Sequence, residues 1–282
     1  FKNIIDILKV IFGIFEARYK LTKIKPLFIF SKGGFVTVPV VIAGRLLSIP
    51  VYIHEADMTP GLANRIAMKF ATHLFLTFPP KSEPKISYTV SGLPLRSDIY
   101  KADSARGKTF LGLTSQKPVL LQIGGSLGAS SLNTLLRDSL DELLPTFEVV
   151  HITGKGKANL HIDKQGYTQR EFVGVEIFDC IKAADVVVSR AGAGSVMELL
   201  TLEKPTVFIP LSRSQSRGDQ IENAQYIEEF GVGVAVSEDM LESGIFVKMI
   251  EKVYNDRAQY IQKIKTLGLP RAEETIISAI QK

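Results

Sequence analysis

The sequence predicts an α/β protein built as two doubly wound domains facing each other across a cleft. Three observations carry that expectation. Short apolar runs rich in β-branched residues alternate with stretches of helical period along most of the 282 residues, as successive βα units do. Glycine loops follow several of these strand-like runs and lead into helices, at Gly33-Gly34, at 124–128 and at Gly192-Ala193-Gly194. The alternation lapses once, over the polar stretch 97–117, and then restarts, so that stretch reads as a domain linker. The chain is long enough for two such domains.

Composition narrows the partners. Hydrophobic residues make up 45% and charged residues 22%, which is enough to form cores and too little charge for a disordered chain. The net charge of +5 is too small to argue for nucleic acid, which is not expected as a partner. It suits an anionic substrate or an anionic membrane surface. Cys180 is the only cysteine, which excludes a disulfide framework and points to a reducing compartment. The histidines at 54, 73, 151 and 161 lack metal-ligand spacing, and there is no Asp-x-Asp, so neither a metal nor another cofactor is expected. No signal peptide is evident, and no apolar run reaches the roughly 18–20 residues that span a bilayer. The chain opens with Phe1 inside a helical pattern, with no strand before it, so residues upstream are expected to be missing.

Residues 1–25 have a helical period, with Ile4, Leu8, Ile11 or Phe12, and Phe15 at three- and four-residue spacing. Ile5, Ile7, Val10 and Ile14 make the apolar face unusually wide, and six Lys or Arg outnumber two acids. Such a helix either lies on the core with a basic solvent face, or packs inward on one side and touches an anionic bilayer with the other. Pro26 ends it. A short strand over 27–30 delivers Ser31-Lys32-Gly33-Gly34-Phe35, whose diglycine allows positive φ and close backbone approach. A helix over 38–47 and a strand over 51–53 follow, and this strand brings His54-Glu55-Ala56-Asp57 to the same sheet edge. His54 and Glu55 suit an acid/base pair, while a histidine at a strand end equally suits a structural hydrogen bond. A helix over 62–70, strands over 74–77 and 88–90, and the turn Ser91-Gly92-Leu93-Pro94-Leu95-Arg96 complete the first series. Arg96, near the domain junction, suits either a surface salt bridge or a nucleotide contact.

Within 97–117 only 102–111 is amphipathic. A strand over 119–123 then leads into Gly124-Gly125-Ser126-Leu127-Gly128 and a helix over 129–140. This loop departs from GxGxxG, and the next strand, 147–152, ends in Thr153-Gly154 without an acid, so a dinucleotide site is disfavoured. The loop suits a diphosphate or a ligand-free βα turn. A strand over 167–172 and a helix over 175–183 lead to the most informative stretch, 186–225. Here a strand over 186–189 feeds Arg190-Ala191-Gly192-Ala193-Gly194-Ser195, then a helical run over 196–202 with Glu198 in its first turn. Unpaired N–H groups at a helix N-terminus favour phosphate, and a carboxylate one turn on can accept two hydrogen bonds from vicinal hydroxyls. The pair reads as a nucleotide site. A strand over 206–210 and a polar loop over 212–220 follow, and Asp219, Gln220 and Asn223 open the next helix. Asp219 suits an N-cap, and the carboxylate and amides together suit a neutral polyol. A strand over 232–236 and helices over about 239–252, 256–266 and 272–281 close the chain.

The segments SKGGFVTVPV, PVYIHEADMTPGLANRIA, SGLPLR, IGGSLGASSLN, DVVVSRAGAGSVMELL and RGDQIENAQ resemble the MurG family of lipid-linked N-acetylglucosaminyltransferases, closest to its Gram-positive members. The likeness runs in order over essentially the whole chain. It implies a GT-B fold whose last helix crosses back to the first domain. It divides the chain into an acceptor- and membrane-facing domain over 1–96, joined by the helix 268–282, and a UDP-sugar donor domain over 97–267. It also implies transfer of N-acetylglucosamine from UDP-N-acetylglucosamine to the C4 hydroxyl of the muramyl unit of undecaprenyl-linked lipid I, with inversion. The product would be lipid II for peptidoglycan, made by a peripheral protein on the cytoplasmic face of the bacterial membrane.

By matching motif, Glu198 holds the ribose hydroxyls, Ser126 and the loop with Ala193, Gly194 and Ser195 contact the diphosphate, and Arg190 belongs to the same cradle. Arg96 and the Phe172-Val173 backbone lie near the uracil, while Asp57, Asp219 and Gln220 face the sugar. Gly33 and Gly34 fall on the acceptor side, and Ile4, Leu8, Phe12 and Phe15 in the membrane patch. The family's N-terminal strand and its histidine-bearing glycine loop have no counterpart here, which leaves His54 and Glu55 as the catalytic candidates and implies an incomplete first domain. Asp57 and Asp219 stand where many members carry Asn and Gln. Two other functions fit the same residues: a UDP-N-acetylglucosamine 2-epimerase of the same architecture, and a UDP-sugar-binding protein without catalysis.

Overall fold

The computed structural model describes residues 2–124, 129–216 and 218–281, with side chains from residue 9 onward. The chain divides into two compact units, Phe1–Pro94 with Pro270–Lys282, and Leu95–Leu269.

The first unit runs α1 (Lys2–Ile24), β1 (Ile29–Ser31), α2 (Val38–Leu46), β2 (Val51–Glu55), α3 (Leu62–Ala67), β3 (His73–Leu76) and β4 (Tyr88–Val90). Its sheet has the order β1-β2-β3-β4, and every pairing is parallel. Parallel neighbours need a crossover, which α2 and α3 supply for the first two pairs. Strand alternation sorts the side chains between two layers. Val51, Ile53, Leu74 and Leu76 pack with Val41 of α2 and Ala67 of α3. Phe75, between two of them in sequence, packs instead with Ala272 and Ile276 of the C-terminal helix Ala272–Ile280, beside Phe30 and Tyr52. That helix therefore belongs to the first unit. α1 lies along α2 and buries Leu21. No helix among the described residues is long and apolar enough to cross a membrane.

The second unit runs α4 (Ser104–Leu111), β5 (Val119–Ile123), α5 (Ser130–Asp138), α6 (Leu140–Leu143), β6 (Glu148–Ile152), β7 (Tyr167–Arg170), α7 (Ile177–Ala183), β8 (Val186–Ser189), α8 (Ala193–Thr201), β9 (Thr206–Phe208), α9 (Asp219–Phe230), β10 (Val234–Ala235), α10 (Ser243–Asn255) and α11 (Arg257–Thr266). The sheet order is β10-β9-β8-β5-β6-β7, all parallel. The chain builds outward from β5 to β7, then returns to the other side of β5 with β8. This is the doubly wound order, with its topological switch point between β5 and β8. β8 is buried at every residue, as a central strand covered on both faces must be.

Three expectations are corrected here. The stretch 97–117 is not a linker. Asp103 caps α4 by accepting from Arg106 N at 2.8 Å, and the Arg106 guanidinium donates to both carboxylate oxygens of Asp179 in α7, at 2.9 and 2.8 Å. Gly107 makes that docking possible, because a Cβ there would collide with the Asp179 carbonyl group. The second correction concerns α8, which begins at Ala193 with Gly192 as N-cap, so the small residues are its first turn and Glu198 lies in its second. The third concerns α9, whose N-cap is Gly218; Asp219 is its first helical residue.

Candidate functional site

In the second unit the switch point opens into a cavity of about 550 Å³. Ile123 and Ile152 line it from the carboxyl ends of β5 and β6, the segment 171–175 lines it from beyond β7, and Gly194, Ser195 and Glu198 line it from α8. Arg96 closes one side. Arg96, Val173, Gly194, Ser195 and Glu198, read from scattered motifs, thus line one cavity.

Each wall has its own chemistry. The N-cap of α8 is Gly192, with no side-chain cap bond, and among the described residues a Cβ on Gly192 or Gly194 would meet nothing within 4 Å, so no side chain crowds the backbone of its first turn. The backbone N–H groups of that turn and the helix dipole favour an anion. Glu198 stands one turn further along, half-buried. Burial raises its carboxyl above the ordinary value, and the nearby Arg96 charge opposes that rise. The Arg96 guanidinium lies 4.5 Å from the Phe178 ring centroid, and its Nε is 3.7 Å from Asp98. Ile123, Ile152, Val173 and Ile177 give an apolar wall, and Phe172 and Val175 stand exposed at 70% and 74%. An apolar slot for a flat ring, a carboxylate for a hydroxyl pair and a helix end for phosphates match a nucleoside diphosphate.

The other residues expected at the donor are not among those that line the cavity. Ser126 falls outside the described residues. Ala193 is buried at the start of α8. Asp219 and Gln220 do not line the cavity, and Gln220 Oε1 accepts from Leu211 N at 3.1 Å, bracing the loop before α9. Asn223, expected to read a sugar, is fully buried and donates through Nδ2 to the Ala191 carbonyl at 3.0 Å. Arg190 is also buried, in a bidentate ion pair with Glu238, so its side chain is part of the framework and not of the cradle. Phe178 and Glu238 carry no local motif. Their roles come from partners distant in sequence.

The first unit gathers polar groups at the ends of β1 and β2. Gly33 and Gly34 have φ of 89° and 93°, and a Cβ on Gly33 would lie 2.8 Å from Asn64 Oδ1. Only glycine fits that position without strain. Asn64 Nδ2 donates to Glu55 Oε2 at 2.8 Å, and Asp57 N donates to Glu55 Oε1 at 3.1 Å. Burial raises the Glu55 carboxyl despite these bonds. His54 is fully buried and shares a hydrogen bond of 2.9 Å between Nε2 and the Gly92 carbonyl, which makes Nε2 the protonated nitrogen. Burial, more than the nearby Lys32 charge, lowers its pKa to about 4. The expected acid/base pair is not formed. Adjacent residues of a strand project to opposite faces, and both side chains are closed off from solvent. His54 and Glu55 instead brace the glycine loop and the 91–92 turn.

Among the described residues, no group of three or more His, Cys, Asp or Glu is arranged to hold a metal ion.

Residues 119–276 match the glycosyltransferase family 28 C-terminal domain, and residues 1–76 the glycosyltransferase family 28 N-terminal domain. The UDP-N-acetylglucosamine–N-acetylmuramyl-(pentapeptide) pyrophosphoryl-undecaprenol N-acetylglucosamine transferase of Clostridium tetani is 42% identical over 100% of this chain and 79% of its own length. The protein of the same name from Staphylococcus haemolyticus is 42% identical over 99% of this chain and 79% of its own length. Among solved structures, MurG of Acinetobacter baumannii matches with a TM-score of 0.79 at 23% identity, over 97% of this chain and 78% of that one, a likeness of fold.

Proposed function

The chain belongs to glycosyltransferase family 28 and, within it, to the UDP-N-acetylglucosamine–N-acetylmuramyl-(pentapeptide) pyrophosphoryl-undecaprenol N-acetylglucosamine transferases, and from that membership we infer that it moves N-acetylglucosamine from UDP-N-acetylglucosamine to lipid I. The product is lipid II, for peptidoglycan. The two parallel α/β units are those of the GT-B fold.

The cavity of the second unit is the observation that carries the donor assignment. We assign Glu198 to the ribose hydroxyls, the first turn of α8 to the diphosphate, and the wall with Val173 and Arg96 to the uracil. Inversion at the anomeric carbon requires a base for the C4 hydroxyl and stabilisation of charge on the departing diphosphate. The α8 N-terminus supplies the second. Neither His54 nor Glu55 is assigned as the base, because both are buried. A helix end needs no bridging metal. UDP binding is therefore expected to persist in EDTA, checked by calorimetric titration.

We place the protein on the cytoplasmic face of the membrane as a peripheral enzyme. Phe12, Phe15 and Tyr19 lie exposed along α1 at 74%, 68% and 61%, with Lys9, Arg18, Lys20 and Lys23 exposed around them. Ile4 and Leu8, expected in the same stripe, have side chains outside the described residues. An apolar stripe with a basic surround suits an anionic bilayer. The triple substitution Phe12/Phe15/Tyr19→Ser is expected to abolish sedimentation with phosphatidylglycerol vesicles, and unchanged sedimentation would overturn the placement.

The test of function is transfer of labelled N-acetylglucosamine to a lipid I analogue by the full-length protein. Labelled lipid, lost in Glu198→Ala, is the expected result. Donor binding without labelled lipid would contradict it, and formation of UDP-N-acetylmannosamine from donor alone would replace it with epimerisation.

A further inference from the structure

The one arginine of the glycine stretch makes no contact available to a ligand. Arg190 follows β8 directly and is only 6% exposed. Its Nη1 donates to Glu238 Oε2 at 2.9 Å and to the Ile209 carbonyl at 3.1 Å. Its Nη2 donates to Glu238 Oε1 at 3.1 Å and to Ser131 Oγ at 3.1 Å. With two hydrogens on each Nη, all four are directed at protein acceptors. The remaining Nε–H is buried without a partner among the described residues.

The partners come from three places. Glu238 follows β10, Ile209 follows β9, and Ser131 is the second residue of α5. One guanidinium therefore ties the carboxyl ends of β8, β9 and β10 to the start of α5. The next residue is held from another side, where Asn223 of α9 donates to the Ala191 carbonyl at 3.0 Å. Gly192 and the first turn of α8 come immediately after.

A buried ion pair is poor value for stability alone, because desolvation offsets most of its attraction. It does give a fixed geometry, and backbone N–H groups bind an anion well only when held in place beforehand. Gly192 and Gly194, with no side chains, leave that turn soft unless its entry is clamped. We infer that Arg190 and Glu238 are positioning residues, which set the α8 N-terminal turn for the donor diphosphate without touching it.

This rests on the donor-site reading above, so the test separates the diphosphate from the nucleoside. UDP and uridine are titrated calorimetrically into the full-length protein and into Glu238→Gln, Arg190→Lys and Ser131→Ala, with thermal melting as a check on folding and with donor KM and kcat. UDP affinity is expected to fall about tenfold or more in Glu238→Gln and in Arg190→Lys, and two- to threefold in the milder Ser131→Ala. Uridine affinity stays within twofold of wild type, and KM for UDP-N-acetylglucosamine rises more than kcat falls. Loss of UDP and uridine affinity together, or unchanged UDP affinity, overturns the inference. If Glu238→Gln fails to fold, Arg190→Lys and Ser131→Ala decide by the same ratio. A wild-type protein that binds no UDP sinks the donor-site reading itself, and this inference with it.

Discussion

At Glu198 two effects oppose each other, and burial is the larger, so the carboxyl titrates above its ordinary value despite Arg96. Hydroxyl binding needs the carboxylate, which is present above the folded pKa and is lost as pH falls through it. For a raised pKa that loss begins at a higher pH than for an ordinary glutamate. KM for UDP-N-acetylglucosamine is therefore expected to climb on mild acidification, and Glu198→Gln should flatten that limb while weakening binding at neutral pH. A pH profile of kcat/KM for both proteins checks this. Gly33 makes a different demand. Its positive φ and its contact with Asn64 lead Gly33→Ala to cost about 1 kcal/mol or more, read from the urea midpoint.

At the scale of elements, α4 depends on a neighbour far along the chain. Its sequence, SARGKTFL, is short, and its amphipathic pattern does not say what it packs against. Asp179 in α7 is 73 positions from Arg106, and no local period encodes that docking. Gly107→Val is expected to destabilise the second unit by roughly 1–3 kcal/mol through overpacking, measured by urea unfolding. The same contrast decides what was readable elsewhere. β5 and β8 stand where their largely apolar runs place them, because central parallel strands are buried on both faces. The start of α8 was hidden, since Gly, Ala and Ser carry no apolar period. Arg96, Val173, Gly194, Ser195 and Glu198 could be picked out by matching motif. Phe178 under Arg96 and Glu238 against Arg190 could not, because only the folded chain brings them together.

Over the whole molecule, each unit buries one histidine in neutral form. Burial lowers His54 to about 4 and His151 to about 3, from an ordinary 6.5. His151 sits in a polar cluster, with Nδ1 2.7 Å from the Tyr167 hydroxyl and Nε2 2.9 Å from both Gln122 Nε2 and Asn133 Oδ1. A depressed histidine leaves the folded state with fewer bound protons than the unfolded chain below pH 6.5. Stability is then fully present above that pH and declines as pH falls toward 4, by at most ~1.4 kcal/mol per pH unit for each histidine. Unfolding midpoints of both units are expected to drop over that window, and His151→Gln should reduce the slope for the second unit alone. The central claim, that the switch point of the second unit is the UDP-sugar site, is tested most directly by titrating UDP-N-acetylglucosamine into the wild-type protein and Glu198→Ala. Removing a carboxylate that accepts two hydroxyl hydrogen bonds should weaken binding roughly 10- to 100-fold in a protein that still melts normally. Equal affinity in the two proteins would contradict it.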